Sequence, residues 1–464
     1  DLFIDLGATD EQADFPVVYA KATSAQAGFS VDLGPDLQPL FETILRQVPA
    51  PVVDASEPLQ MLVTTLGYDE YRGVTAVGRI FAGKMIADQN LARLTAGGEN
   101  LPERARYLYV HQGLDKVEVT EASAGEIVAL AGLEGISIGE TLADPENPVA
   151  LPTIRVEKPT VRMTFGVNTS PFTGREGRWG SSRRIRERLF EELRSNVSLR
   201  VDETDSAENF IVSGRGELHL AILIETRRRE GFEFQVSRPE VIFRESDDGT
   251  KEEPFEKVFI ESSSETIGAV IEMLGKRRGR MLEMKDGGDG NTQLIYIVPT
   301  RGLLGFRYQF LTATHGTGIM NTNFYDYEKM AGPMETRQTG SLVAWEAGTT
   351  TAYALKAGED RGSFFLGPGV EVYEGMVVGE RVRSEDLGLN VCKKKHLTNM
   401  RSSGADMEVR LTPPRIMSLD ESIEYLSDDE LLEVTPESIR IRKRVLDSTK
   451  RGRDEKRARE ALKD

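Results

Sequence analysis

Apolar positions fall into two rhythms along the chain. Leu37, Leu40, Phe41, Ile44 and Leu45 mark one face of a helix that Pro49 and Pro51 stop, and a short strand at 16–20 precedes it across a polar loop. From about Glu57 to Leu151 the period becomes two. Leu59, Met61 and Val63 alternate with Gln60, Leu62 and Thr64, while Gly73, Gly78 and Gly83 punctuate short Val/Ile-rich runs. Short strands with regular turn signals predict a β-barrel.

Two successive segments then repeat one plan. The first is predicted to run strand 160–167, helix 182–195, strand 199–201, strand 210–212, helix 217–229, strand 232–236. In its first helix Ile185, Leu189 and Leu193 recur every four residues, with arginines and glutamates on the other faces. The second runs strand 255–260, helix 266–276, a strand near Met281, strand 293–298, a helix near 303–311, strand 320–325. Both read β-α-β-β-α-β, the ferredoxin-like split, whose two helices cover one face of the sheet.

The remainder, from about Gly332, follows no common template. It is β-rich at 341–345, 364–366 and 370–373, and polar from Arg383 to Asp406. Ser418-Leu-Asp-Glu421 and Ser427-Asp-Asp-Glu430 both have the form of a capping box at a helix start, which accounts for Asp428, Asp429 and Glu430 without a metal. Ile439 and Ile441 alternate with Arg440 and Arg442, as in an edge strand. Beyond Leu446 the chain is charged and poor in large apolar residues, so disorder is expected. The expected fold class is multidomain α+β: a β-barrel, two ferredoxin-like βαββαβ domains and a β-rich C-terminal domain.

Length and composition narrow the function. A chain of 464 residues holds about three to five domains at roughly 100–200 residues each. Its 39% hydrophobic and 7% aromatic content suits a globular protein. A single cysteine, Cys392, excludes an internal disulfide framework, and His111, His219, His315 and His396 are too scattered for a ligand set, so no metal site is expected. His219 and His315 read as hydrogen-bonded structural residues. No apolar run approaches a membrane span and no signal-peptide pattern opens the chain, so a reducing cytoplasm is the expected compartment. The start, Asp1-Leu-Phe-Ile-Asp5, reads as the middle of a longer protein. A net charge of −17 argues against unselective polyanion binding. The positive charge, however, is localised.

The most distinctive string is Ser213-Gly-Arg-Gly-Glu-Leu-His-Leu220. Its glycines force a tight turn, and Glu217 falls in a first helical turn, where a carboxylate meets the positive end of the dipole. Leu218, Ile222 and Ile224 are expected to supply the buried stripe. The string resembles the third-domain signature of translational GTPases of the elongation factor G group. Residues 78–83, 124–130 and 139–142 look like the second-domain barrel of such factors. A barrel followed by two ferredoxin-like units is the order of elongation factor G without its fourth domain.

Longer strings are more specific. Asn168-Thr-Ser-Pro-Phe-Thr-Gly-Arg-Glu-Gly177, Thr300-Arg-Gly-Leu-Leu-Gly-Phe-Arg307, Thr314-His-Gly-Thr-Gly318, Arg361-Gly362, Gly369-Val-Glu-Val-Tyr-Glu-Gly375, Lys395-His-Leu-Thr-Asn-Met-Arg401 and Asp429-Glu-Leu-Leu-Glu-Val-Thr-Pro436 resemble the BipA (TypA) family of translational GTPases. The resemblance covers essentially the whole chain. It implies a C-terminal remnant of the GTPase domain at 1–52, a barrel at 53–156, ferredoxin-like domains at 157–245 and 246–331, a family-specific C-terminal domain at 332–446 and a charged tail at 447–464.

The family carries a P-loop, two switch segments and an N-K-x-D motif ahead of the point where this chain starts, and no G-x-x-x-x-G-K-[ST] string occurs here. A P-loop supplies the N–H groups and lysine that hold phosphates, and the hydroxyl that holds Mg²⁺. Without it phosphoryl transfer has neither positioning nor charge stabilisation. The chain as given is therefore expected to have no catalytic residues, no cofactor and no GTP hydrolysis, GTP and Mg²⁺ belonging to the full-length family. Tyr19-Ala20-Lys21-Ala22 aligns with the family's last guanine-contacting motif, Tyr-Ala-Ser-Ala. Lys21 replaces the serine, and a backbone N–H contact from Ala22 survives the change.

Three basic groups are candidate RNA contacts. Lys393, Lys394, Lys395 and Arg401 gather in one loop, where His396 and Asn399 add groups suited to ribose or base edges. From the residues alone a solvated loop and an RNA contact both stay open; the resemblance implies a loop reaching the ribosomal A-site region. Lys276, Arg277, Arg278 and Arg280 end a helix, where dipole pairing cannot use every cation. Arg175, Arg178, Arg183 and Arg184 flank a glycine-rich loop before a helix N-terminus, where an external phosphate would relieve the unfavourable dipole. The basic stretch from Arg440 to Lys463 reads equally as an rRNA-binding or a solubilising extension. The expected function is the ribosome-binding body of a BipA-type GTPase, acting in translation under stress or in large-subunit assembly. The expected partners are rRNA and tRNA, with no membrane and a monomeric chain. The rival is a stand-alone rRNA-binding or assembly module without GTPase function.

Overall fold

The computed structural model describes residues 3, 7–50, 52–69, 71–133, 135–154, 158–194, 196–246, 248–287, 290–334, 337, 339–394 and 410–461. The chain divides into two compact units, 1–154 and 155–464.

In the first unit, period-two alternation builds an eight-stranded antiparallel sheet. Its strands run in the order 100–104, 90–94, 141–143, 60–69, 73–82, 127–131, 107–112, 115–118. Met61, Val63, Ile80, Leu108, Val128 and Leu142 are buried on one side of it. Ahead of the sheet lie a hairpin, Tyr19–Lys21 with Gln26–Gly28, and the helix Gln38–Gln47. The strand predicted at 16–20 thus starts three residues later. The helix forms where the sequence places it, but Phe41, Ile44 and Leu45 are exposed.

In the second unit the two repeated segments adopt one pairing order. Strands Val161–Gly166, Arg200–Glu203, Asn209–Gly214 and Phe234–Ser237 are arranged fourth, first, third, second, with helices Ser182–Glu192 and Glu217–Arg229 between them in sequence. Strands Lys251–Ser263, Arg280–Asp286, Asn291–Pro299 and Ile319–Lys329 follow the same order, with helix Ile267–Lys276 in the first connection and the short helices Thr300–Leu303 and Arg307–Ala313 in the second.

The chain's end then returns to the first of these sheets. Strand Glu430–Val434 pairs with Phe234–Ser237, and Ile439–Lys443 pairs with Glu430–Val434 as the outermost strand. Ile423, Tyr425, Leu432, Val434 and Ile441 consequently share one core with Phe165, Ile185, Phe210, Leu220 and Phe234. A separate sheet, ordered Gly362–Phe364, Val377–Arg381, Ser341–Ala344, Leu387–Leu389, carries its own core around Leu342, Leu355, Tyr373 and Val378.

Several expectations are corrected. Helix Glu217–Arg229 buries Leu220, Ala221, Leu223, Ile224 and Arg227 and leaves Leu218 and Ile222 more than half exposed. Apolar residues line both of its sides, so the sheet beneath selects the stripe, and the buried charge of Arg227 is met by Glu192 and Glu230. Ser427–Glu430 caps no helix. Glu430 does accept from the Ser427 N–H (2.9 Å), but the chain continues as a strand because a sheet edge receives it. The tail is helical from Ser448 to Ala461. Asp447 accepts from the Lys450 N–H (2.9 Å), and Arg451 holds the Val445 carbonyl (2.8 Å). Arg440, Arg442 and Lys443 are largely withdrawn from solvent rather than part of a basic extension.

Candidate nucleic-acid interface

The loop between strand Val161–Gly166 and helix Ser182–Glu192 is held by two buried carboxylates. Glu233 accepts from the Asn168 side chain (2.7 Å) and from the backbone N–H groups of Gly174 (3.0 Å) and Gly177 (3.2 Å). A Cβ at position 177 would stand 2.2 Å from that of Glu233, so only glycine lets the loop close on it. Glu433, in the returning strand Glu430–Val434, accepts from Asn168 (3.1 Å), Ser170 (2.9 Å) and the Tyr373 hydroxyl (2.7 Å), and pairs with Arg440 (3.1 Å). Glu176 pairs with Arg440 and accepts from Thr435. Burial opposes the charge of Glu176, but the hydrogen bonds from Thr435 and Arg440 outweigh it and hold its carboxyl below the ordinary range.

This anchorage fixes a row of cations on the loop and on the first turn of the helix that follows it. The Arg175 guanidinium lies 4.2 Å from the Phe172 ring and pairs with Glu371 (2.9 Å). Arg178 and Arg184 lie 4.7 Å and 5.0 Å from the ring of Trp179, whose carbonyl accepts from the Glu233 N–H. Such contacts orient a guanidinium without neutralising it. Arg183 and Arg184 both reach Glu187 (2.8 Å and 3.5 Å), so an internal carboxylate relieves the dipole conflict for which the sequence had suggested an external phosphate. Among the described residues no carboxylate pairs with Arg178.

The second group is mostly structural. Arg277 is buried and donates to the carbonyls of Gly302 (2.6 Å) and Leu304 (3.3 Å), which removes it from any surface set. Lys276 pairs with Glu272 (2.6 Å), and Arg280 pairs with Glu328 (2.6 Å). Arg278 stays exposed in a left-handed backbone conformation, φ 62°. In the third group Lys393 and Lys394 are exposed, and the Lys393 carbonyl accepts from Thr351 (2.6 Å). Lys395, His396, Asn399 and Arg401 lie outside the described residues. Tyr19, Ala20, Lys21 and Ala22 are exposed on a hairpin strand and the turn after it. His219 is structural, its Nε2 3.0 Å from Asn196 and its Nδ1 accepting from the Arg215 N–H, whereas His315 is exposed at φ 53°.

Sequence reading missed Glu233, Glu433 and Arg440, which assemble the loop. The signal present was charge at alternating positions of a strand, as in Leu432-Glu433-Val434 and Ile439-Arg440-Ile441. That both sides of this hairpin meet protein is a fact of the tertiary pairing alone.

Residues 339–448 match the TypA/BipA C-terminal domain, 250–338 the elongation factor G C-terminus, and 58–144 elongation factor G domain 2. The chain is 50% identical over 444 residues to the large ribosomal subunit assembly factor BipA of Synechocystis sp., covering 96% of this chain and 74% of that one. The chain belongs to the BipA family. It is also 47% identical over 453 residues to the Bacillus subtilis factor of the same name (97% and 74% covered) and 47% identical over 455 residues to that of Salmonella typhimurium (98% and 75% covered). The stretch matching the BipA C-terminal domain contains the hairpin at 430–443, so this family feature is also what secures the 168–177 loop.

Proposed function

We propose that this chain is the ribosome-binding body of a BipA-type translational GTPase and serves large-subunit assembly or translation under stress. The order is that of elongation factor G: a barrel, two ferredoxin-like domains with the fourth–first–third–second strand order, then the family-specific domain. The observation that carries the reading is the loop that starts at Asn168, together with the first turn of helix Ser182–Glu192 after it. Two buried carboxylates hold the loop rigid, and Arg178 and Arg184 flank Trp179 as oriented cations on the surface of an acidic protein. Rigid, planar guanidinium groups suit the phosphates and base planes of folded RNA. The names of the relatives support a large-subunit partner. Lys393, Lys394 and the loop through Arg401 form a second contact directed at the A-site region and tRNA, and the chain acts as a monomer in the cytoplasm.

GTP and Mg²⁺ belong to the family's G domain, where the nucleotide supplies a conformational switch. The residues present do not fit that group. The sequence holds no P-loop string, and among the described residues no cluster of three or more His, Cys, Asp or Glu side chains is placed to hold a metal ion. This chain's own residues bind and orient.

The test is titration of labelled chain with purified large ribosomal subunits, comparing the parent with Arg178→Ala/Arg184→Ala. The expected result is a loss of about tenfold or more in affinity, the scale of one or two charge-assisted contacts, with unchanged thermal unfolding. Equal affinity of parent and variant would remove the loop from the interface.

A further inference from the structure

A cleft of about 850 Å³ opens where the end of helix Ile267–Lys276, the turn at 302–305 and helix Leu419–Tyr425 meet. Its volume is that of a site for a small organic ligand. One wall holds an unusual cation. Arg277 is 9% exposed, and its guanidinium donates to the carbonyls of Gly302 (2.6 Å) and Leu304 (3.3 Å) and to Gln309 Oε1 (3.0 Å), all neutral acceptors. No carboxylate pairs with it among the described residues. A buried cation hydrogen-bonded only to neutral groups keeps much of its charge, here offset in part by the Glu424 carboxylate in the same lining. Gly302, from the Thr300–Arg307 string, makes this possible, because a Cβ there would stand 2.8 Å from the Arg277 carbonyl oxygen.

Arg278 lines the same cleft. It adopts φ 62°, a conformation uncommon for a side chain of this kind, and is exposed with no carboxylate partner among the described residues. In the same lining Tyr308 is 38% exposed, with the Arg415 guanidinium 4.7 Å from its ring. The carboxylates in the lining are already engaged. Glu380 pairs with Arg415 (2.9 Å), Glu421 accepts from the Ser418 N–H (2.8 Å), and Glu424 accepts from the Tyr308 N–H (3.3 Å). Glu217 is different: its Oε1 is buried with no hydrogen-bond partner among the described residues. Burial, with Glu424 nearby, raises its pKa to about 8, so at neutral pH it presents a hydroxyl rather than a negative charge.

We propose that this cleft binds a phosphate ester of nucleotide size, its phosphate on Arg277 and Arg278 and its base against Tyr308. The phosphate comes either from a free nucleotide or from an RNA strand, and the two sources share this chemistry. The site stands apart from residues 168–184 and does not depend on ribosome binding.

Calorimetry of the whole chain without Mg²⁺ tests it with two probes, adenosine diphosphate and a single-stranded RNA hexamer. Adenine is chosen so that guanine recognition at residues 19–22 contributes nothing. Binding of the diphosphate alone assigns a free nucleotide, and binding of the hexamer alone assigns RNA. In either case Arg278→Gly should weaken binding at least about tenfold, while its thermal midpoint holds or rises because glycine adopts this φ freely. Tyr308→Leu should weaken binding of the same probe with the fold intact. Failure of both probes to saturate at millimolar concentration overturns the proposal. So does binding that Arg278→Gly leaves unchanged.

Discussion

Glu433 shows how much one residue organises. Its side chain is fully buried, and its two oxygens serve Asn168, Ser170, Tyr373 and Arg440. Removing a buried partner strands the charge left behind, so Glu433→Ala should cost about 3–5 kcal/mol in urea unfolding. Glu433→Gln, which keeps one acceptor oxygen, should cost less. An effect below about 1 kcal/mol for the alanine variant would show the network to be solvated. Glu217 allows a pH test. Its carboxyl is raised from an ordinary 4.5 to about 8, so between those values the folded state keeps a proton that the unfolded chain releases. Stability contributed by this group is therefore present below about pH 4.5 and lost as pH rises to about 8. Glu217→Gln should flatten that slope and stabilise the chain at pH 8 by up to about 4 kcal/mol. An unchanged slope between pH 5 and 8 would contradict the assignment. Little of this was readable from sequence. The string holding Glu217 stood out, but its raised pKa comes from burial and from Glu424, which is more than two hundred residues away along the chain.

At the scale of elements, local signals worked where they were strong. Helices Ser182–Glu192, Glu217–Arg229 and Ile267–Lys276 lie where the apolar periodicity predicts them, the first ending three residues short of 195. The capping box at Ser418 is formed, with Glu421 N–H on the Ser418 hydroxyl (3.2 Å). The similar string at Ser427 failed as a helix signal because long-range pairing decided the outcome. Phe234 faces Val434 and Ser237 faces Leu431, contacts no period along the chain can announce. The tail was misread for another reason: its composition suggested disorder, while Asp447 supplied a cap. Since the hairpin at 430–443 completes the sheet of the 161–237 segment, the two should unfold together. Leu432 is fully buried, and Leu432→Ala should cost about 2–5 kcal/mol. Hydrogen exchange should then show strand Phe234–Ser237 losing protection along with the hairpin. Loss confined to the hairpin would mean that the sheet is complete without it.

For the whole molecule, a net charge of −17 and a nucleic-acid partner are compatible only if cations are held in place. Here Arg178 is fixed on a braced loop and Arg184 in the first turn of the helix after it, whereas Arg440 and Lys443 are spent inside the protein. Sequence alone counted all of them as basic surface, because it registers charge but not the buried carboxylates that consume it. With no P-loop string in the chain, GTP turnover should remain at background, and a rate rising with added Mg²⁺ would contradict that expectation. The central claim, that this body docks on ribosomal RNA through a few fixed cations, is tested most directly by co-sedimentation with large ribosomal subunits across a salt series. Binding should be clear at low salt, and the logarithm of affinity should fall linearly with the logarithm of salt as counterions are released. The slope should be shallower in Arg178→Ala/Arg184→Ala. No binding at the lowest salt, or binding indifferent to salt, would contradict the account.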